Sequence, residues 1–396
     1  MQPNKNNIFW VVIGNPENRR IKAFSQSLAQ WQQSKILVLS YLDLIAQNNI
    51  EAYLSSQLDR IVGNIVVRFE SPGENRSLER SIINLSGIQE KNSDDYSHGQ
   101  IVNNSHWFQG YTSLLNKIGD ALKVIEKKRG KKIQFMNPMD DILTLFDKQT
   151  TNQRLTKANI NTPKILPSSC EFTALIENMQ VKRCSKVFIK LRYGSSASGV
   201  AAFQCSPKRR RYCLTTSVEI EKVKGVSRYF NSLKIRKYTS EPKVVEIINF
   251  LLAQDAIVEC WIPKATHNNK RFDLRVVTVE SEPRFVLVRQ SQSTITNLHL
   301  GNQRASLDDI NLTASQKMRL NKQVTRAANT FCNVTTIGWD VLLTEKNKTP
   351  YIIEGNAFGD LLPNLKNDLG STYDNQIHAW LSKTLLTQSV LNKSSC

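Results

Sequence analysis

The sequence predicts an α/β chain whose C-terminal part becomes α+β. An apolar run, a helix-length segment and a second apolar run follow one another at Ile8–Gly14, Arg19–Gln33 and Lys35–Ser40, the spacing of a strand–helix–strand unit on a parallel sheet. Far downstream, Ile337–Leu343 and Tyr351–Ile353 flank a polar turn carrying Asn347 and Pro350, the pattern of an antiparallel hairpin. With 396 residues, 40% of them hydrophobic, the chain can fill two or three cores.

In order, IFWVVIG (Ile8–Gly14) is a continuous apolar run entering the turn Gly14-Asn15-Pro16, so it reads as a buried strand. The following GNPENRR lacks GxGxxG and is not a dinucleotide fingerprint. Residues Arg68–Ser97 are polar and read as loops around a short helix. A helix near Ser113–Lys128 and a strand at Lys132–Met136 complete a first domain, residues 1–137.

A second unit, residues 138–258, opens with a helix after Pro138 and another starting near Asp147. The strand Ser185–Arg192 alternates Val187, Ile189 and Leu191 with Phe188 and Lys190, which puts Lys190 on the face opposite the aliphatic residues. The loop Tyr193–Val200 then brings Gly194, Ser195, Ser196 and Gly199, and a strand at Val200–Gln204 closes the hairpin. Backbone N–H groups of such a loop approach phosphate oxygens, with Lys190 as a point charge. It is not a Walker loop, because Gly-Lys-Ser/Thr is missing.

The third unit, residues 259–396, begins within the strand Ile257–Pro263. In the strand Arg271–Glu280, Asp273, Arg275 and Val277 share one face and Phe272, Leu274 and Val276 the other. A strand ending in Arg289, the polar loop Thr294–Gly301 and a helix from Thr313 to Cys332 lead to the hairpin. There Glu354 and Asn356 share a face that Asp340 meets from the neighbouring strand. Two carboxylates and an amide oxygen form an all-oxygen cluster suited to Mg²⁺, which leaves positions for substrate phosphates.

Composition removes several classes. The net charge is +19, but residues 182–243 hold sixteen Lys and Arg against three acids, thirteen of the nineteen net charges. Such confinement, without any nucleic-acid-binding motif, argues against specific nucleic-acid recognition. No apolar run approaches the ~18 residues that span a bilayer, and no signal peptide stands at the start, so a cytoplasmic protein without a membrane partner is expected. Seven cysteines without a CxxC pair indicate neither a disulfide framework nor a zinc site. The five histidines lack metal-ligand spacing.

Taken together, the loop lysine, the linker strand with Glu259, the Asp-x-Arg strand, the Arg289 strand, the Asn297 loop, Gly-x-Asp and Glu-x-Asn resemble the ATP-grasp superfamily over about Asn137–Pro363. The nearest pattern is the branch with glutathione synthetase and the ligases that add glutamate to ribosomal proteins; FDLRVV, TNLHLGN and EGNAFGDLLP mark a separate subfamily. The resemblance implies an N-terminal Rossmann-like pre-ATP-grasp domain, a nucleotide lid and a C-terminal mixed-sheet catalytic domain. It implies that Lys148 and Lys190 hold the ATP phosphates and that Gly194–Gly199 form the lid loop. Cys260 and Ile262 would bind adenine through backbone, with Glu259 and Trp261 beside them, and Asp273 the ribose. Arg275, Arg289 and Asn297 would face the γ-phosphate and acyl phosphate, and Asp340, Glu354 and Asn356 would hold two Mg²⁺ ions. Gly355 replaces the family's apolar residue, Leu191 its common Pro, and Asn302 a second Gly.

The implied reaction joins a carboxylate to an amine (or thiol) through an acyl phosphate, releasing ADP and phosphate. A phosphotransferase on the same fold and a non-catalytic ATP- or nucleic-acid-binding module are the alternatives. Expected partners are ATP and a small-molecule or peptide substrate. The basic run Lys208, Arg209, Arg210, Arg211 suits an acidic acceptor, and a homo-oligomer is compatible with the sequence.

Overall fold

The computed structural model describes residues 8–31, 35–73, 75–87, 97, 99–102, 104–130, 132–194, 198–206, 211–223, 225–295, 303–360, 362 and 364–393, without the side chains of 35 and 384–393. Ser195, Ser196, Asn297, His299, Gly301, Asn302 and the run 208–210 lie outside them.

The first sheet is wholly parallel, in the order β2-β1-β3-β4. Its elements are β1 (Ile8–Gly14), α1 (Arg19–Gln30), β2 (Lys35–Ser40), α2 (Tyr41–Ile45), α3 (Ile50–Leu58), β3 (Asn64–Phe69), α4 (Arg76–Asn84), α5 (Asn104–Arg129) and β4 (Ile133–Phe135). Because β1 is buried on both faces, Trp10 and Val12 enter one core and Val11 and Ile13 another. Helix α1 stops at Gln30, short of the expected Gln33, and α5 begins at Asn104, upstream of the expected Ser113. The expected polar stretch from Arg68 in fact begins inside β3. Arg68 is buried because its guanidinium donates to Glu70 (2.9 Å) and Gln376 (2.7 Å) and lies over the rings of Phe24 and Tyr373.

After α6 (Met139–Phe146), α7 (Lys148–Lys157) and α8 (Phe172–Val181) comes a second, antiparallel sheet in the order β8-β7-β6-β5-β9. It contains β5 (Lys186–Leu191), β6 (Ala201–Ser206), β7 (Arg211–Val223), β8 (Val226–Tyr238) and β9 (Ala256–Cys260), with α9 (Glu241–Ala253) before β9. Helices α8 and α9 cover one face. The β7–β8 hairpin has no clean hydrophobic alternation in sequence, because its aromatic residues hide among charges; Tyr229 stacks on Phe250 of α9 at 3.7 Å.

The third sheet runs β13-β12-β11-β14-β15, with β10 paired to β11. Its strands are β10 (Thr266–His267), β11 (Lys270–Val279), β12 (Glu282–Ser291), β13 (Gln303–Ala305), β14 (Thr336–Leu343) and β15 (Pro350–Asn356). Helix α10 (Ala314–Asn329), opened by a Thr313/Gln316 capping box, packs against it, and α11 (Thr372–Lys393) returns to α1. Asn137 ties the first sheet to the third: its Nδ2 donates to Thr336 O and Ala357 O, and its Oδ1 accepts from Thr335 and Thr336 N–H. Among the described residues no helix is long and apolar enough to cross a membrane.

Candidate active site

The second and third sheets face each other across a cleft of about 870 Å³, counted with its open mouth. Strand alternation decides what each wall presents. On β5, Val187, Ile189 and Leu191 enter the core under α8 and α9, so Phe188 and Lys190 line the cleft. On β11, Phe272, Leu274 and Val276 enter the opposite core, which turns Asp273 and Arg275 toward the site.

Lys148 is the first residue of α7. The N-cap Asp147 accepts from Gln149 and Thr150 N–H and is clasped by Arg192 at 2.6 and 2.8 Å. Lys148 Nζ donates to Gly194 O and lies 3.8 Å from Glu354 Oε2. Lys190 Nζ is 2.7 Å from Glu259 Oε2. Burial works against its charge, but Glu259 and Glu354 outweigh that and hold its pKa above the ordinary value.

The opposite wall is a chain of ion pairs. Lys264 Nζ donates to Asp273 Oδ2 (3.0 Å), and Arg289 Nε to Asp273 Oδ1 (2.7 Å). Arg289 Nη2 is 3.2 Å and Arg275 Nε 3.0 Å from the same atom, Asp340 Oδ1. These last are contacts of charge without hydrogen-bond alignment: Asp340 Oδ1 and Arg275 Nε are both buried and lack a hydrogen-bond partner among the described residues. Register creates the chain, since Asp273 stands opposite Arg289, Arg275 opposite Asp340, and Asp340 opposite Glu354.

Burial, together with the Glu354 carboxylate, raises the pKa of Asp340 despite Arg275 and Arg289. Burial acts on Glu354 the same way, but Lys148, Lys190 and Arg275 override it and hold its pKa below the usual carboxylate range. Burial lowers the pKa of Lys264, with Arg289 and Lys190 adding to the effect against Asp273. Asn356 stands opposite Gly338 and donates from Nδ2 to Gly338 O (2.9 Å), so its amide oxygen is the atom left for a ligand.

Two carboxylates and an amide oxygen, with a buried carboxylate oxygen lacking a hydrogen bond, fit Mg²⁺, which keeps most of its coordination for water and phosphate. Among the described residues no group of three or more His, Cys, Asp or Glu side chains could hold a metal. Two carboxylates and an amide oxygen leave coordination positions of such an ion open for phosphate oxygens. Gly355 points away from the cluster; a Cβ there would lie 2.6 Å from Leu145 Cδ2 and 2.9 Å from the Trp339 ring, so the apolar residue of the family does not fit.

Along the linker, Cys260 N–H donates to Lys164 O (2.8 Å) and Trp261 N–H to Lys186 O (3.1 Å), so neither can donate to a base. Cys260, Ile262, Glu259 and Gly194 line the cleft. Trp261 does not, its ring resting on Phe188 at 4.8 Å, and Gly199 packs instead on Leu191. The sequence reading missed Lys264 and the Asp147–Arg192 clasp; a lysine two residues beyond Ile262 is a signal only once β11 is known to lie under it.

A family description built from many sequences, YheC/D-like ATP-grasp, matches residues 132–358, more than half the chain. The chain belongs to the YheC/D-like ATP-grasp family. The match covers Lys148, Lys190 and the Asp340–Asn356 hairpin alike. The ATP-grasp fold is also that of D-cycloserine synthetase DcsG, 10% identical with a TM-score of 0.53 over 95% of this chain and 99% of that one. The D-alanine–D-alanine ligase of Bacillus anthracis complexed with ATP is 11% identical, TM-score 0.52, over 98% and 99%. No curated protein sequence matches this ATP-grasp chain.

Proposed function

We propose that the protein is an ATP- and Mg²⁺-dependent ligase that joins a carboxylate to an amine through an acyl phosphate. The observation that carries this reading is the pairing in the cleft. Four cations (Lys148, Lys190, Lys264, Arg289) line it with four carboxylates (Glu259, Asp273, Asp340, Glu354), so the lining is neutral overall. A neutral lining suits ATP accompanied by two Mg²⁺ ions, whose charges cancel, and Asp340, Glu354 and Asn356 would hold the metal. Held by those residues, magnesium would supply charge neutralisation for the transferred phosphoryl group.

Lys148 and Lys190 would hold the phosphates; Cys260 O and Ile262 N–H would meet the adenine edge. Asp273 already accepts from two cations, so its part is to fix Arg289 while accepting from a ribose hydroxyl. Arg275 and Arg289, aligned before substrate arrives, would offset the repulsion between a carboxylate and ATP. Asn297 would act on the acyl phosphate. The proposed units are 1–137, 138–258 and 259–396, the second boundary falling within β9. ADP release screened over amino acids, small carboxylates and peptides, with mass spectrometry of the product, tests the reading. Amide formation is expected; a phosphorylated end product would make the protein a kinase.

A further inference from the structure

The helix layer of the first sheet touches the nucleotide cleft from outside. Helix α5 sits hard on α4: a Cβ on Gly110 would lie 1.7 Å from Ile82 O, and Tyr111, Leu114 and Leu115 are buried. Just before that close approach, Trp107 and Phe108 reach out of the layer. Trp107 meets Phe146, whose ring is 5.6 Å away and which leads into the N-cap Asp147. Phe108 lies flat on Tyr193, with ring centroids 4.1 Å apart and planes 9° from parallel.

Tyr193 carries that contact into the site. The guanidinium of its neighbour Arg192 lies 5.2 Å from the Tyr193 ring and clasps Asp147. Arg192 O accepts from Lys148 N–H (3.3 Å), and Lys148 Nζ donates to Gly194 O, on the far side of the tyrosine. Lys148 is thus held at its backbone and at its ammonium by the two neighbours of Tyr193. Lys148 and Gly194 line the cleft, whereas Phe108 and Tyr193 are not among its lining residues.

A second contact ties the same two layers together. Strand β8 is the outer strand of the second sheet, and Gly99–Ile101, the chain ahead of α5, pair with it: Ile101 N–H donates to Tyr229 O (2.8 Å) and Asn231 N–H to Gly99 O (2.7 Å). Ile101, 4% exposed, enters the core of the second sheet under α8 and α9. A ring stack fixes a distance only when both of its carriers are fixed. Here α5 is fixed by α4, and the second sheet is fixed to the chain before α5 by Ile101.

We propose that Phe108 is a positioning residue for the nucleotide site, acting through Tyr193 and Arg192 without touching ATP. The inference rests on the ATP-dependent ligase reading above. With Lys148 and the Gly194 turn already held, polyphosphate meets groups that need little ordering, and binding costs less. Removing the Phe108 ring leaves Tyr193 and that turn to be ordered when nucleotide arrives, so the loss falls on affinity.

Calorimetric titration with AMP-PNP and Mg²⁺, and amide hydrogen exchange of the nucleotide-free protein, test this. Gly194 N–H donates to Leu191 O (3.2 Å) and Lys148 N–H to Arg192 O, so exchange at these two amides reports the turn. Phe108→Ala is expected to speed exchange at both and to weaken AMP-PNP about three- to tenfold. Tyr193→Ala does the same, the double variant loses no more than the worse single one, and Phe108→Tyr keeps wild-type values. Melting curves separate a lost fold from a lost contact, and Tyr193→Ala carries the test if Phe108→Ala unfolds. Three outcomes overturn the proposal: exchange and affinity unmoved in the alanine variants, losses that multiply in the double variant, or Phe108→Tyr as weak as Phe108→Ala. Failure of the wild-type protein to bind AMP-PNP would instead overturn the ligase reading, because exchange at Lys148 and Gly194 without nucleotide still decides whether Phe108 holds the turn.

Discussion

On the wall formed by the second sheet Lys190 has, among the described residues, one ion-pair partner, Glu259 at 2.7 Å, whereas on the facing wall Asp340 Oδ1 is shared by Arg275 and Arg289, and Arg289 in turn by Asp273. A singly paired lysine on a flexible stem can leave its carboxylate for a phosphate oxygen. A multiply held aspartate cannot move without unsettling several charges. The first wall therefore suits groups that follow the nucleotide, and the second suits groups that define where the reaction happens.

The largest expected effect comes from breaking the second wall. Asp340→Asn should fold, because the amide fills the same space, yet lower turnover by about 10²–10³-fold by removing a metal-ligand charge and loosening both arginines. Steady-state ADP release beside a melting curve measures both; turnover near wild type at the same magnesium concentration rules out the assignment. A smaller and different loss is expected on the first wall. Lys190→Met should weaken ATP binding and, by stranding the buried Glu259, cost about 3–5 kcal/mol of stability. Adding Glu259→Gln should restore most of the stability but none of the ATP affinity, and recovery of both would mean Lys190 serves the fold alone.

The two carboxylates of the metal cluster also separate by pH. The pKa of Asp340 is raised from 3.8 to about 6, so its protonated form favours the folded state. The stability this contributes is present at low pH and is lost as pH rises through about 6, and the melting temperature of the metal-free protein should fall across that window. Magnesium needs the carboxylate, so its affinity should weaken by up to about tenfold per pH unit below 6. Magnesium titrations at pH 5 and 7 with equal affinities would show that Asp340 does not bind the metal. The smallest effect belongs to the basic run. Replacing residues 208–211 with Ser should change the Michaelis constants by less than about twofold; a rise for the acceptor alone would assign the acceptor to that run.

Much of this is legible in the sequence alone. Strand alternation alone set Lys190 apart from Val187, Ile189 and Leu191, and Asp273 and Arg275 apart from Phe272, Leu274 and Val276, because a period of two leaves each side chain only one of two faces. The acidic hairpin was legible for the same reason, with Asp340 and Glu354 opposite each other across a short turn. Strand β3 was not, because Arg68 reads as solvent-facing until Glu70, Gln376 and the Phe24 ring are seen around it. The part of Lys264 and the shared oxygen of Asp340 were hidden too, since ion pairing between strands far apart in sequence depends on register that no local pattern carries.

Local sequence thus determined which residues form strands and which face each presents, since backbone geometry imposes those periods on any chain. Only the tertiary structure decided which faces meet: that the β5 lysine wall lies across from the β11, β14 and β15 acids, and that Arg20 of α1 reaches the Phe358 carbonyl in the loop after β15. Those meetings depend on how separate sheets bury their apolar faces, and the free energy of that packing is shared among residues hundreds of positions apart.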